Sequence, residues 1–454
     1  MTRSPVGRLA GVAKLNVTPA FGWFWTARTA SLMGDYAFRV AFITNLIRTS
    51  NSPNVLAEAT AVLLVPAIVF YIFGGAFGDR VRSRRAVLVG ADLIRFVGTG
   101  AAAISVVLTD SPLPVVGFAL LIGVGSGFFE PIAAGFMTQI VEKNRLVAAN
   151  SALSVSRQVS LIIGPVLGGA LVGLAGPAAA FWFDAATFAV SALALLAIPA
   201  AAIVRHRSEP DPAGGSAPAP AGGSALGQLW QEIVEGIRFI AGVRWLLITL
   251  ATGAVANAVF AGGLDVLVPL VFSPHGGGSA IRLGLFYTLE GGGALIGALI
   301  LSRLVVRKVS GGLFGMLALM ALSLVLVGVF GNSIGSLLLA LSYGVGMHFF
   351  NSLYPALVQT TVPAELISRV SSLEFLAFDG LLPIGILLMG PLSIGLGAGR
   401  ALEVTGLVVV ALSLATMAAP TIRALRFPVE GAAQLDESPV LEGQLPLADN
   451  PFGA

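Results

Sequence analysis

A seven-residue pattern, Gly-Val-Gly-x-x-Phe-Phe, occurs twice in this chain, at residues 123–129 and again at 344–350, a separation of 221 positions. Both copies lie inside long apolar segments. A repeat at about half the chain length predicts two homologous helical bundles in a membrane. Glu130 follows the first copy and Asn351 follows the second. Because ionisable groups at membrane depth are costly and mark transport pathways, this pair directs attention to a transport function.

The composition excludes a soluble protein. The 454 residues are 56% hydrophobic and only 11% charged, whereas a soluble domain carries about 25% charged residues. The predicted fold class is an all-α membrane protein with twelve transmembrane helices in two pseudo-symmetric six-helix bundles. Each helical span needs about 20 mostly apolar residues. The predicted spans are 20–48, 55–78, 86–108, 114–140, 149–175, 178–202, 244–272, 282–302, 311–331, 335–360, 367–396 and 401–420.

The loops divide the chain into five predicted parts. They are an N-terminal segment (1–19), a first bundle (20–204), a linker with an amphipathic helix (205–243), a second bundle (244–420) and an acidic tail (421–454). The linker begins with a Pro/Gly/Ser/Ala-rich run that is typical of flexible segments. Apolar residues then recur at helical spacing from Leu229 to Ile240, which favours a helix lying in the membrane interface. The tail carries acidic residues without basic ones after Arg426, and we expect it to be disordered.

The basic residues predict the orientation of the spans. Most of the 26 Lys and Arg residues fall in the N-terminal segment, in the loops after even-numbered spans, and in the C-terminal flank. Arg48, Arg282 and Arg400 lie on the opposite side, and Arg28, Arg39, Arg95 and Arg157 lie within spans. By the positive-inside rule, both termini are predicted to be cytoplasmic.

A charged signature follows the second span. It comprises Gly74, Gly75, Asp79, Arg80, Arg84 and Arg85. Its small residues allow close helix approach, and Asp79 with its basic partners can act as a latch that stabilises one conformation. The same spacing recurs in the second half, where Ser302 replaces the aspartate. The alternative is that the arginines only fix the topology.

The signature, which reads GxxxDR before a basic cluster, resembles that of the major facilitator superfamily. In the fifth span, Gly164, Pro165, Gly168 and Gly169 form a GPxxGG sequence that is similar to the motif associated with antiporters in that family. A proline interrupts the helical hydrogen-bond ladder and glycines permit bending, so a plain kink is the alternative reading.

Further local matches lie in both halves and are similar to bacterial exporters of macrolides, tetracycline-like drugs and the siderophore enterobactin. They include residues 31–35, 91–95, 183–185 and 362–370. The resemblance implies that spans 1, 4, 7 and 10 line a central cavity. It also implies a multi-pass protein of the bacterial cytoplasmic membrane that exchanges a small molecule for protons among membrane lipids. We expect no cofactor, with the proton gradient as the energy source, and we expect a monomer.

Ionisable residues inside the spans are the candidate proton-coupling groups, since each costs roughly 2.5–3.5 kcal/mol on insertion scales. Asp35 and Arg39 are four residues apart on one helix face and are predicted to pair. The best candidate is Glu130, for which the alternative is a static pair with Arg157. The full set of candidate acids is Glu130, Asp35, Glu290, Glu374, Asp379 and Asp265. Asp92 and Arg95 are expected to support the Asp79 loop, and Asp184 to be structural.

Polar and aromatic residues around the repeat are the candidates for the substrate cavity. They are Asn351, His348, Phe128, Phe129, Phe349 and Phe350. A histidine titrates near neutral pH, although a hydrogen-bonded structural role is the alternative for His348. The aromatic rings can instead pack between helices.

The sequence carries no phosphate-binding GxxxxGK[ST] loop, no HExxH and no GxSxG, and it has no cysteines. An enzyme, a metal site and nucleic-acid binding are therefore not expected. The predicted function is proton-coupled export of hydrophobic or amphipathic small molecules, such as drugs, natural products or siderophores, by alternating access. The alternatives are a lysolipid or lipid flippase of the same fold and a non-transporting membrane receptor or scaffold.

Overall fold

A computed structural model describes residues 18–50, 52–81, 83–142, 145–203, 238–273, 279–304, 306–362 and 364–427. Residues 1–17 of the predicted N-terminal segment, the linker with most of its amphipathic helix, and residues 428–454 of the acidic tail lie outside these residues. The five-part division of the chain therefore stays a prediction.

The described residues form an all-α fold with twelve long helices that correspond to the twelve predicted spans. They are α1 (Pro19–Ser50), α2 (Pro53–Arg80), α3 (Arg84–Leu108), α4 (Leu113–Ile140), α5 (Leu146–Ala175), α6 (Pro177–Ala197), α7 (Arg244–Val271), α8 (Ala280–Leu301), α9 (Ser310–Phe330), α10 (Ile334–Thr361), α11 (Ala364–Phe378 as α11a and Leu382–Leu396 as α11b) and α12 (Ala398–Ala418). By length and composition, eleven of these helices can cross a membrane. The other is α1, whose charged residues lower its mean hydropathy.

Two of the predicted spans contain irregular turns, and a third is interrupted. π-helical turns occur at Gly263–Leu267 in α7 and Ser310–Gly315 in α9. The predicted span at 367–396 corresponds to a segment that is long and apolar enough to cross a membrane, Val370–Leu396, but residues 379–381 form a turn between α11a and α11b within it. A proline in the first turn of α11b, Pro383, begins the new helix and is disfavoured inside a continuous one.

The repeated glycines make the same helix contacts in the two halves. A Cβ atom at Gly123 of α4 would collide with the backbone of α2, and one at Gly344 of α10 would collide with the backbone of α8. Two residues further on, Gly125 approaches α3 and Gly346 approaches α9 equally closely. The repeat is therefore explained by packing, because only glycine lets these backbones approach so closely.

A second pair of glycines has the same spacing of 221 positions. Gly176 connects α5 to α6 with φ 82°, and Gly397 connects α11b to α12 with φ 83°. Residues with a side chain rarely adopt such a left-handed conformation. The connection between the last two helices is thus built alike in both bundles.

The two bundles contact each other along α5 and α8 and along α2 and α11, and these contacts reach one end of the fold. We call the end at which α1 begins the terminal end and the opposite one the distal end. Near the distal end, Gly169 of α5 lies against Ala280 and Ile281 of α8. Gly390 of α11b likewise lies against Asn54 of α2. The structure is therefore in a state whose distal end is closed.

Candidate functional site

Glu130 of α4 forms a bidentate ion pair with Arg28 of α1. Arg28 donates to Glu130 Oε1 from Nη1 and Nη2 at 3.1 Å each, and to Oε2 from Nη2 at 3.0 Å. The Arg28 side chain is buried, whereas that of Glu130 is 40% exposed. The alternative pairing of Glu130 with Arg157 is wrong, since Arg157 lies exposed on α5. Glu130 thus has a fixed cationic partner and remains accessible.

Arg95 of α3 is the centre of a second, buried network. It pairs with Asp92 on its own helix, and its Nη1 donates to Ser31 Oγ of α1 at 3.3 Å. Asp35 Oδ2 lies 4.0 Å from the same nitrogen. Ser191 of α6 donates to Asp92 Oδ2 at 2.6 Å. The network therefore joins three helices of the first bundle. The expectation that Asp92 and Arg95 support the loop after α2 involves side chains outside those that the structure describes, and it stays a prediction.

A third ion pair crosses from one bundle to the other. Arg39 of α1 donates to Asp265 Oδ1 of α7 from Nε at 3.0 Å and from Nη2 at 2.5 Å. The guanidinium carbon of Arg39 lies 4.4 Å from the centre of the Tyr287 ring of α8. The predicted pair between Asp35 and Arg39 is therefore wrong. Asp265 lies in the π-helical turn of α7, a distortion that is frequent at functional sites.

A cavity of about 400 Å³ lies between α1, α2 and α4, where Asp35 of the second network meets the ion pair between the bundles. We call it the N-cavity. Its lining includes Asp35, Arg39, Ser126 and Asp265, together with apolar side chains. The inter-bundle pair therefore forms part of its wall, and a change in the charge of Asp35 acts on the same space.

A second cavity of about 360 Å³ lies inside the other bundle, between α7, α9, α10 and α11. We call it the C-cavity. Its lining includes Asn257, Phe350, Asn351, Phe378 and Asp379. Asn257 Nδ2 donates to the Phe378 carbonyl at 3.0 Å, where α11a ends. The structure thus brings three predicted site residues, Phe350, Asn351 and Asp379, to one cavity, and their roles stay predictions.

The remaining predicted acids and the histidine lie in the second half. Glu290 is buried on α8, and its Oε2 has no hydrogen-bond partner among the described residues. Glu374 of α11a accepts a hydrogen bond from the Tyr354 hydroxyl at 2.6 Å. His348 Nε2 lies 3.3 Å from Ser352 Oγ one turn along α10. This contact fits the structural alternative for His348.

The paired phenylalanines divide between packing and cavity positions. Phe128 contacts the Phe70 and Phe77 rings of α2. Phe129 is buried, and the Arg28 and Arg95 guanidinium carbons lie 5.2 Å and 4.4 Å from its ring centre. In the second half, Phe349 is also buried, whereas Phe350 reaches the C-cavity. Phe128 of the first pair and Phe350 of the second pair are therefore the less buried members.

The basic part of the signature after α2 ties helices of one bundle together. Arg84 Nη1 donates to the Gly135 carbonyl of α4 at 2.8 Å. Arg85 Nη1 donates to the Ile198 carbonyl just beyond α6 at 2.6 Å. Gly74 packs closely against α4. The surroundings of three signature residues lie outside what the structure describes: Gly75, Asp79 and Arg80.

The GPxxGG sequence of α5 lies where α5 contacts both α1 and α8. A Cβ atom at Gly168 would approach the backbone of α1 at 2.5–3.0 Å, and one at Gly169 that of α8 at 2.7 Å. A Cβ atom on Gly284 of α8 would collide with the Pro165 carbonyl. Thr288 Oγ1 of α8 donates to the Ile162 carbonyl at 2.7 Å. The motif therefore forms part of the contact that closes the distal end.

The family model of the Major Facilitator Superfamily matches residues 24–383. The chain belongs to the Major Facilitator Superfamily. Among its relatives in that family, Macrolide efflux protein A of Streptococcus pyogenes is 23% identical over 410 residues, which are 87% of this chain and 94% of that protein. Enterobactin exporter EntS of Citrobacter koseri is 25% identical over 377 residues, which are 80% and 83% of the two chains.

The fold is shared with solved structures of low sequence identity. A bacterial homologue of the iron transporter ferroportin superposes with a TM-score of 0.66 at 14% identity, over 88% of this chain and 99% of that one. The resemblance stated from the sequence motifs is thus confirmed at the level of family and fold. This member of the superfamily is a multi-pass membrane transporter of small molecules, and it is not an enzyme.

Sequence reasoning missed several partners that the structure supplies. Arg28, Tyr287, Asn257 and Tyr354 each contact a predicted site or line a cavity. The sequence places Arg28 seven residues before Asp35 and thus about two helical turns away on the same face, but it does not indicate the pairing of Arg28 with Glu130. Nothing in the sequence indicates the contacts of the other three, which are made between separate helices.

Proposed function

We propose that this transporter exports hydrophobic or amphipathic small molecules in exchange for protons, by alternating access, as a monomer with both termini in the cytoplasm. The observation that carries the proposal is the bidentate pair between Arg28 and Glu130, in which the acid is accessible and the base is buried. Protonation of Glu130 removes one charge of this pair and leaves Arg28 without its partner. Such a change costs free energy and so favours a rearrangement of α1 against α4.

The N-cavity couples this event to the closure of the distal end. Asp35 lines the cavity and lies near Arg95, while Arg39 of the same helix pairs with Asp265 across the bundle interface. A shift of α1 therefore acts directly on the inter-bundle pair. With the distal end closed, substrate enters from the predicted cytoplasmic side and its binding favours proton release.

Proton entry from the side opposite to the cytoplasm supplies the energy that returns the transporter to the distal-closed state. The electrical part of the gradient is worth about 2.3 kcal/mol per charge per 100 mV. For a neutral substrate, one proton per cycle therefore supports a substrate gradient of more than about tenfold. The relatives named as efflux proteins make export, rather than import, the direction proposed.

The test uses acidified inverted vesicles that contain the wild type or Glu130→Gln. A panel of lipophilic drugs and siderophores is added, and proton release is followed with a pH-sensitive dye. We expect compound-triggered release in the wild type that is lost in Glu130→Gln and kept in Glu403→Gln. Glu403 lies on α12 beside Gly328, away from both cavities. Release that survives in Glu130→Gln keeps antiport and moves the proton to Asp35, whereas no release with any compound contradicts the proposal.

A further inference from the structure

The C-cavity contains a carboxylate without a counter-charge. Asp379 lies in the turn between α11a and α11b, and it is the one charged side chain in the described lining of the cavity. Among the described residues, its carboxylate has no hydrogen-bond or ion-pair partner. We propose that this cavity binds the positively charged amine of an amphipathic organic cation. The inference rests on the proposed function and names the substrate class.

The described lining of the C-cavity holds no base, whereas that of the N-cavity holds Arg39 beside its two acids. In the first bundle, Arg28, Arg39 and Arg95 each pair with an acid. The C-cavity has no such compensation within its described lining, and the nearby Glu374 of α11a adds a second acid. An uncompensated carboxylate at membrane depth is costly, so a bound cation that pairs with Asp379 offsets part of this cost.

Aromatic rings add a second feature that suits an ammonium group. Phe350 and Phe378 line the cavity, and the buried Tyr354 ring contacts both of them from behind the lining. Tyr354 stacks on Phe350 with ring centres 5.7 Å apart and meets Phe378 edge-on at 5.3 Å. The Tyr354 hydroxyl donates to Glu374, and this hydrogen bond holds the Tyr354 ring against both phenylalanines. Ring faces attract ammonium groups, most strongly where water is excluded.

The remaining lining argues for an organic cation over a metal ion. No group of three or more metal-ligating side chains occurs among the described residues. Met320, Met347 and Leu317 are among the lining residues, and such apolar side chains suit the hydrocarbon part of a ligand. Because Asn257 donates its amide N–H to Phe378, its side-chain oxygen remains as an acceptor for an ammonium N–H.

The test measures binding to the purified full-length protein, without a proton gradient. The probes are an aryl trimethylammonium cation and its tert-butyl isostere, which have the same shape and differ in charge. We expect the wild type to bind the cation at least about tenfold more tightly, which is 1.4 kcal/mol. Asp379→Asn should abolish this preference while keeping the affinity for the neutral isostere. Phe350→Leu should reduce the preference by about two- to fivefold.

Glu403→Gln, which removes an acid of the same bundle outside the cavity, should leave the preference unchanged. Equal binding of the two probes to the wild type, a preference that survives in Asp379→Asn, or no binding of either probe overturns the inference. So does tighter binding of an anionic catecholate than of the cation. The binding test can succeed or fail independently of the proton-release test. A preference for the cation without proton release in the vesicles supports the cation site and contradicts proton-coupled export. Proton release driven only by neutral compounds supports proton-coupled export and contradicts the cation site.

Discussion

The ion pair between Arg39 and Asp265 should determine how stable the closed distal end is. Removing one partner of a buried pair costs about 3–5 kcal/mol. The two side chains are 31% and 20% exposed, and Arg39 keeps its contact with the Tyr287 ring, so we expect about 1–2 kcal/mol for Asp265→Asn. Because the pair joins the two bundles, this cost falls on the distal-closed state. The ratio of distal-open to distal-closed molecules should rise by a factor of about 5–30.

The absence of cysteines makes this shift measurable with two spin labels. Cysteines introduced at Asp110 and Ile334 place one label on each bundle at the distal end, and both positions are exposed. Pulsed electron paramagnetic resonance then gives the distance distribution between the labels. In Asp265→Asn, we expect the long-distance population to grow at the expense of the short one.

The control is Glu403→Gln in the same labelled background, since this acid lies outside the contact between the bundles. Its distance distribution should match that of the unsubstituted protein. If Asp265→Asn also gives an unchanged distribution, the pair does not stabilise closure, and the coupling proposed through α1 is refuted. A growth of the short-distance population would likewise contradict the reasoning.

Three further substitutions test the packing that the fold depends on. Gly169→Val should raise the distal-open population in the same distance measurement, because its side chain would meet the backbone of α8. Gly344→Ala should destabilise the protein by an overpacking cost of about 1–3 kcal/mol and so lower its Tm. Gly117→Ala should leave the Tm unchanged, because a Cβ atom at Gly117 would meet no atom within 4 Å. Arg85→Ala should lower stability by about 1 kcal/mol through loss of its hydrogen bond to Ile198; an unchanged Tm would show that this contact does not stabilise the bundle.

The helices and their repeat were predictable because the signals are local. An apolar run of about 20 residues is sufficient to indicate a span, and all twelve predicted segments correspond to helices of the structure. The spacing between Gly123 and Gly344 likewise predicted two equivalent bundles, and the structure shows a close backbone approach at both positions. The break in α11 was missed, although Gly380 and Pro383 within an apolar run were a usable signal.

The ion pairs were not predictable, because sequence spacing describes only one helix at a time. Asp35 and Arg39 share a helix face, yet Arg39 reaches Asp265, which lies 226 positions away. The rotation of each helix and its depth decide such partners, and both are set by packing against several neighbours. For the same reason the base that meets Glu130 was found only in the structure.

The two bundles share their packing but differ in charge, and the repeat shows how. Adding the spacing of 221 positions to Arg28 and Glu130 gives Thr249 and Asn351. Thr249 is buried and donates to the Trp245 carbonyl of its own helix at 2.7 Å. Replacing one member of a buried pair alone would leave an uncompensated charge, whereas replacing both avoids that cost. The repeated frame can therefore hold an ion pair in one half and neutral groups in the other without a change of fold. This difference leaves Asn351 free to line a cavity in the second bundle, whereas Glu130 is held by Arg28 in the first.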